Sequence, residues 1–398
     1  MKKIIIILFI VCSFLTVMFT TVSAASDLSF TNNNEVGTLN LTSDAKSAVL
    51  IEPTTMEVIY ERNPHSQLAP ASMTKIMTML LVMEAIENGV LSLDQMLTAS
   101  EYATTMGGTQ IYLEVGEQMS VNDLLKSVAI GSANDAAVVL AEGISGSCEN
   151  FVKLMNDRAK ELGLEHTNFK NPNGLPEEGH YTCAMDMAVM SAHLVNYHSE
   201  ILKYTSTYED YVREDTEKRF WLVNKNKLIR FVEGVDGLKT GWTNDAGYCL
   251  TATIKKDNMR FIAVCMGNSS PDIRNKEIMQ MLNYGISNYE VVSLYKEGDI
   301  IKTYQNVDLL PRTYHITISE DVNILKKKGE DLKDITLEES INYQNIDGVN
   351  NKDIGEIKIY YDGKLFKTID LALLEDVKKA SYFEVFLEVL REVFLVAR

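Results

Sequence analysis

The chain is poor in positive charge. Its 38 Lys and Arg stand against 55 Asp and Glu, a formal net charge of -17. A surface this acidic argues against a nucleic-acid partner. Histidine is scarce, with six residues, and cysteine scarcer, with five. The cysteines do not fall into a metal-ligand spacing. His193 and His198 are five apart, which puts them on different faces of a helix. All six histidines read as surface or satisfied core residues, and neither a metal nor a cofactor is expected. Internal repeats and low-complexity tracts are lacking too. Only one long apolar run occurs, from Ile4 to Val22, so an arrangement of several transmembrane helices is excluded.

Three short strings make up for these absences: Ser72-Met-Thr-Lys75, Ser132-Ala-Asn134 and Lys239-Thr240-Gly241. Ser-x-x-Lys and Ser-x-Asn carry little information alone. Ser43–Lys46, Ser293–Lys296, Ser120–Asn122 and Ser340–Asn342 match them as well. Lys-Thr-Gly occurs once. Context separates the rest. Pro70 and Ala71 precede Ser72, and Ile76, Met77, Met79, Leu80, Met83 and Ile86 follow at helical spacing, with Gly89 as the stop. Ser72 therefore falls in the first turn of a long buried helix. Ser120 reads as a helix N-cap. Ser132 follows Gly131, where one apolar helix ends, and precedes another, so it lies in a tight loop.

The spacing carries the chemistry. Residues i and i+3 of a helix have Cβ atoms about 5–6 Å apart, so Lys75 reaches the hydroxyl of Ser72. A serine needs a base to act as nucleophile, and a lysine serves only when neutral. Burial and a second cation, Lys239, would supply that lowering. A helix N-terminus favours negative charge developing on Ser72. Two N–H donors are needed for a tetrahedral intermediate, and those of Ser72 and Trp242 are the candidates. At Gly241 a side chain would block a substrate lying along the strand. Acyl transfer without histidine is the reaction class.

At this point the chain resembles the low-molecular-mass penicillin-binding proteins, the serine D-alanyl-D-alanine carboxypeptidases. The similarity runs from about Ser47 to Tyr289 and more weakly to the C-terminus. It includes the stretch from Asn171 to Thr182, the run Ala184–Ala188, and Val235–Thr243 continuing to Tyr248. The resemblance implies that Ser72 is acylated and Lys75 is its base. Ser132 would relay protons, Asn134 would bind the substrate amide, and Lys239 would polarise the site. Thr240 would hold the terminal carboxylate, aided by Arg274, and Trp242 would contribute backbone only. Peptidoglycan stem peptides are the implied substrate and β-lactam antibiotics the implied inhibitors. Two alternatives stay open: a β-lactamase of the same fold and a non-enzymatic β-lactam sensor or cell-wall binding protein. Against the first, no Glu-x-x-Leu-Asn string lies between Ser132 and Lys239.

The organisation reads as an export signal over 1–24, with Lys2 and Lys3 before the apolar run and a small-residue site at Val22, Ser23 and Ala24. Residues 25–45 are polar and loose. An α/β domain of the β-lactamase/transpeptidase type, an antiparallel sheet with a helical block, is expected over 46–290. Its hairpin strands include Ala48–Glu52, Val58–Arg62, Tyr248–Lys255 and Arg260–Met266, and its helices include Cys148–Leu162 and Cys183–Tyr197, the latter opened by Thr182. Cys249 and Cys265 flank the turn at Asp257 and Asn258, and either a cross-strand disulfide or buried thiols fits. A small β-rich domain follows over 291–376. Residues 377–398 read as an amphipathic helix, with Phe383, Phe386, Leu387, Leu390, Val393, Phe394 and Ala397 opposite Glu384, Glu388, Arg391 and Glu392. Such a helix lies in a membrane surface, placing the exported protein on the outer face of the cytoplasmic membrane.

Overall fold

The computed structural model describes residues 39–346 and 354–396. Residues 1–38, the expected export signal among them, lie outside the described residues, as do 347–353, Ala397 and Arg398. The first domain is built on a five-stranded antiparallel sheet. Its strands are β1 (Ser47–Glu52), β2 (Glu57–Arg62), β3 (Val235–Thr243), β4 (Gly247–Lys256) and β5 (Met259–Asn268), in the order β2-β1-β5-β4-β3. The two ends of the sequence thus meet in one sheet, as the strand patterns predicted. Asp257 and Asn258 turn the β4–β5 hairpin with φ of 49° and 62°, the left-handed pair that matches strand twist.

One face of the sheet carries the helical block. The buried helix α1 (Lys75–Glu87) runs through its middle, and α2 (Asn134–Ser145), α3 (Cys148–Glu161) and α4 (Ala184–Tyr197) surround it. Residues 75–83 of α1 are all buried, so it is apolar all round rather than striped. Helix α5 (Pro271–Asn288) covers the other face. Alternate strand residues therefore serve different cores. Cys249 joins the helical-block core and Cys265 the α5 core, and all four described cysteines are free thiols. The pleat points these two side chains to opposite faces, which is why the hairpin does not bring them into a disulfide.

Two expectations are corrected. Residues 41–45 are not loose. The Glu277 carboxylate of α5 accepts the backbone N–H groups of Ser43, Asp44 and Ala45, and also the Asn268 amide at 2.6 Å. A buried carboxylate with this many donors pins the segment against the sheet. Helix α4 begins at Ala184 and not before, because the Cys183 thiol, not Thr182, accepts the Asp186 N–H at 3.4 Å.

After β6 (Tyr289–Tyr295) the chain enters the β-rich domain, with its own core around Ile316, Ile357, Ile359 and Ile369. Its five-stranded sheet is formed by Ile300–Gln305, Thr313–Ile318, Ile335–Ile341, Gly355–Tyr361 and Lys364–Leu373. Lys378 and Lys379 pair with Leu310 and Leu309, and Val377 is buried. The C-terminal helix, α6, therefore spans Tyr382–Val396 and starts later than residue 377, because the strand takes the residues before it. Among the described residues no helix is long and apolar enough to cross a membrane.

Candidate active site

Ala71–Thr74 form a single tight 3-10 turn at the head of α1. Ala71 has φ of +48°, a conformation costing about 1 kcal/mol, and the next residue, Ser72, lines the cleft. Lys75 follows and is fully buried. Its Nζ lies 3.0 Å from Ser72 Oγ, 2.7 Å from Asn134 Oδ1 and 2.6 Å from the Asn173 carbonyl oxygen. A neutral amine has two N–H donors and one lone pair. A charged Lys75 donates to Ser72 Oγ as well; once neutral, with its two donors on the carbonyl oxygens, it has its lone pair left for the Ser72 hydroxyl.

Burial lowers the Lys75 pKa well below the ordinary lysine value, and the charge of Lys239 pushes the same way, while Asp135 opposes. The two carbonyls also favour the charged form, but desolvation of a fully enclosed ammonium outweighs them. Lys239 is itself lowered to about 7, first by burial and then by Lys225 and Arg274. Its Nζ donates to the Thr240 carbonyl at 3.2 Å.

Asn134 is aimed by its neighbours. Residues Ser127–Gly131 form a π-helical turn, and Ser132 leaves it in the left-handed region with φ of 65°. Widened turns of this kind are common at functional sites. Helix α2 then starts with Asn134, whose amide donates to the Gly107 carbonyl at 2.7 Å, which turns its Oδ1 to Lys75. The buried Asp135 carboxylate accepts the N–H groups of Ile111, Leu113 and Ala136, holding the opposite wall.

A cleft of about 590 Å³ opens over these groups. Ser72, Asn134 and Trp242 line it, with Asn173, Gly174 and Lys225. The predicted residues are thus divided. Ser72, Lys75 and Asn134 are in direct contact. Lys239, Thr240 and Gly241 occupy the adjacent strand β3, and Ser132 sits in the loop before Asn134. Arg274 lies behind β4, buried, with its guanidinium on the Cys249 carbonyl at 3.3 Å and on Asn275. It acts on Lys239 through its charge. Gly241 has a different reason from the expected one. A Cβ there would meet the Pro70 carbonyl at 2.8 Å and the Met73 nitrogen at 3.2 Å. The glycine faces the turn that carries Ser72 and lets β3 pack against it.

Sequence reasoning missed three groups. Asn173 contributes a backbone oxygen, which no side-chain motif reveals. Gly174 has φ of +85°, and a Cβ there would fall 1.9 Å from the Ala71 carbonyl oxygen and 3.0 Å from the Ser72 nitrogen. Lys225 is a third cation beside the cleft, held by the buried Asn224 and Asn226. The amide of Asn226 donates to the Gly237 carbonyl at 2.9 Å. The Asn171–Thr182 stretch was the available signal for the first two, and the alternation of Asn and Lys from 224 to 227 for the third.

The fold and this Ser–Lys–Asn cluster define a serine acyl-transfer enzyme. The chain matches the peptidase family S11, described as D-alanyl-D-alanine carboxypeptidase, over residues 32–270, and belongs to that family. It is 50% identical over 347 residues to the D-alanyl-D-alanine carboxypeptidase DacF of Bacillus subtilis, covering 87% of this chain and 89% of that one. It is 31% identical to DacC of Escherichia coli over 85% of this chain and 86% of the other. Among solved structures, penicillin-binding protein 5 of Haemophilus influenzae superposes with a TM-score of 0.68 at 29% identity, over 86% of this chain and all of that one. The ampicillin-bound penicillin-binding protein D2 of Listeria monocytogenes aligns with a TM-score of 0.56 at 32% identity, over 62% of this chain and 99% of its own.

One substitution tests the geometry. Gly174→Ala puts a methyl group into the Ala71 carbonyl and beside the Ser72 N–H, at a positive φ. It should lower stability by about 1–3 kcal/mol in urea unfolding. It should also slow acylation of Ser72 by a labelled penicillin at least tenfold, because the Asn173 carbonyl moves off Lys75.

Proposed function

We propose that Ser72 attacks the carbonyl of the penultimate D-alanine in a peptidoglycan stem pentapeptide, releasing the terminal D-alanine and leaving an acyl-enzyme that water hydrolyses. The chain is a serine-type D-alanyl-D-alanine carboxypeptidase by family. The observation that carries the residue assignment is Lys75 Nζ, fully buried and 3.0 Å from Ser72 Oγ with its other bonds on two carbonyls. Lys75 takes the serine proton as the C–O bond forms. The N–H groups of Ser72 and Trp242 stabilise the oxyanion. The proton then passes to the departing amine through Ser132 or Lys75. Asn134 binds the substrate amide, and Thr240 with the cationic group of Lys239 receives the carboxylate. Arg274 and Lys225 reinforce that charge. A β-lactam acylates the same serine.

The test is release of free D-alanine from a pentapeptide ending in D-Ala-D-Ala. The mature enzyme should release it, and Ser72→Ala should lose about 10³-fold or more. Labelled penicillin should appear on the peptide containing Ser72. Rapid turnover of penicillin without D-alanine release would instead make the chain a β-lactamase, and acylation without either turnover would make it a sensor.

The two lysines predict a bell-shaped pH profile. Lys75 acts as a base only when neutral, so acylation falls as pH drops through its lowered pKa. Lys239 serves carboxylate binding only when charged, so kcat/KM falls again as pH rises through about 7. Lys239→Arg keeps the charge at every accessible pH and should abolish the alkaline limb while sparing the acid one. A profile unchanged by that substitution would remove Lys239 from carboxylate binding.

The same reading places the protein at the outer face of the cytoplasmic membrane. Helix α6 leaves large apolar side chains in solvent: Phe383 is 69% exposed and Phe386 58%, with Leu387 and Val389 beside them. Its start is tied to the β-rich domain through the Lys378–Lys379 strand and the Ala380 N–H on the Asp308 carbonyl. An apolar face that no element among the described residues covers, on a helix too short in its apolar run to span, fits insertion in the membrane plane. The mature protein should float with lipid vesicles, and truncation after Ser381 should yield an active enzyme that stays out of them. Equal behaviour of the two proteins would overturn the anchor.

A further inference from the structure

Outside the cleft, three segments far apart in sequence bring soft donors together. His65 comes from the strand-to-helix link before Ser72, His166 from the turn after α3, and Cys183 from the cap of α4. The two imidazole nitrogens and the thiol sulfur all lie within 4.8 Å of one another. The His65 and His166 rings face each other at 5.0 Å between centroids. Cys183 is sealed at the base, His166 is half-buried and His65 is exposed. The donors are thus stacked from core to solvent.

A second histidine cluster exists and differs in one respect. Glu84, His193 and His198 also approach one another, but the Arg158 guanidinium already bonds Glu84 Oε1 at 2.8 Å and His193 Nε2 at 2.9 Å. That cluster has its cation. Among the described residues, no lysine or arginine is bonded within the His65–His166–Cys183 group.

We propose that His65, His166 and Cys183 form a binding site for a borderline-soft divalent transition cation, zinc foremost. Two imidazoles and one thiolate with an open fourth position match the donor preference of Zn²⁺. Tetrahedral bonds of about 2.0–2.1 Å to nitrogen and 2.3 Å to sulfur place donors about 3.3–3.7 Å apart. Side-chain rotations of roughly 1 Å close the group, and the exposed His65 is free to make them. As the Zn–S bond forms, the thiol proton leaves to solvent, and no oxidation state changes. The Cys183 sulfur accepts the α4 N–H of Asp186, but burial pushes the thiol up to about 12, so the cation itself has to displace the proton. The Asp186 carboxylate accepts the His166 N–H at 2.9 Å and the Thr167 hydroxyl at 2.6 Å, adding a compensating negative charge behind the site.

The position gives the ion a consequence. Leu68 and Thr182 exchange backbone hydrogen bonds of 2.8 and 2.9 Å. Beyond them, the His65 segment runs to Ser72 and the His166 segment to Asn173. A metal here clamps the base of both segments that meet at Lys75.

The probe is Co²⁺ added to the chelator-stripped mature protein. One equivalent should bind per chain, with a sulfur-to-cobalt charge-transfer absorption and tetrahedral visible bands, and Zn²⁺ should bleach both. Cys183→Ser should remove the charge-transfer band, whereas Cys148→Ser should keep it. His65→Ala and His166→Ala should each weaken binding about tenfold or more. Absence of the charge-transfer band in the wild type, or its survival in Cys183→Ser, overturns the site. If Cys183→Ser fails to fold, the exposed His65→Ala decides, and unchanged affinity in that variant overturns it.

Discussion

One nitrogen atom organises the site. Lys75 Nζ is fully buried and bonded to groups from three separate segments: the nucleophile's own turn, the head of α2 and the Asn173 loop. A buried amine must satisfy its donors, and leaving one unmade costs about 1–3 kcal/mol. That requirement aligns the walls of the cleft. The Asn134 amide is fixed in turn by Gly107, and Gly174 has to be glycine so that its loop can approach Ala71. The same burial pushes the Lys75 pKa down, toward the neutral amine that the proposed base role needs.

The fold was legible where local pattern decided it. The hairpin ends predicted from alternation lie within about two residues of the observed strands β1, β2, β4 and β5, and the five strands close one sheet from both chain ends. Buried helix α1 was legible from Pro70, Ala71 and the apolar spacing after Ser72. Boundaries failed where a distant partner decided them. Residues 41–45 look disordered in composition, yet Glu277, far along the chain, gathers their N–H groups. Val377, Lys378 and Lys379 fit a helix pattern, but Val377 is buried in the β-rich domain and the two lysines pair as a strand with Leu310 and Leu309.

The site divides along the same line. Ser72, Lys75, Asn134 and Lys239 could be singled out in the sequence because the proposed chemistry needs particular side chains at short spacing, and the structure brings the first three into one cluster. Asn173 was not, since its contribution is a main-chain oxygen. Gly241 was found for the wrong reason: sequence places it beside a substrate, whereas the structure places the nucleophile's turn against it. The histidines were read as unremarkable because ligand spacing was sought along the chain. His65, His166 and Cys183 meet only after the Leu68–Thr182 bridge forms.

An acidic chain has to keep cations where they act. At a net charge of -17, exposed lysines would be screened by their neighbours and by salt. Here Lys75, Lys239 and Arg274 are buried, and Lys225 stands at the cleft between two buried asparagines. Burial, and after it the repulsion of Lys225 and Arg274, lowers Lys239 to about 7, and burial followed by the charge of Lys239 pushes Lys75 down as well. Desolvated charges in a cleft also act at longer range than the same charges in water. The carboxylate-ended substrate therefore meets a positive focus inside an acidic body. The crowding that would destabilise a surface patch suits the two roles proposed for the lysines, Lys75 as the base and Lys239 as the holder of an anion.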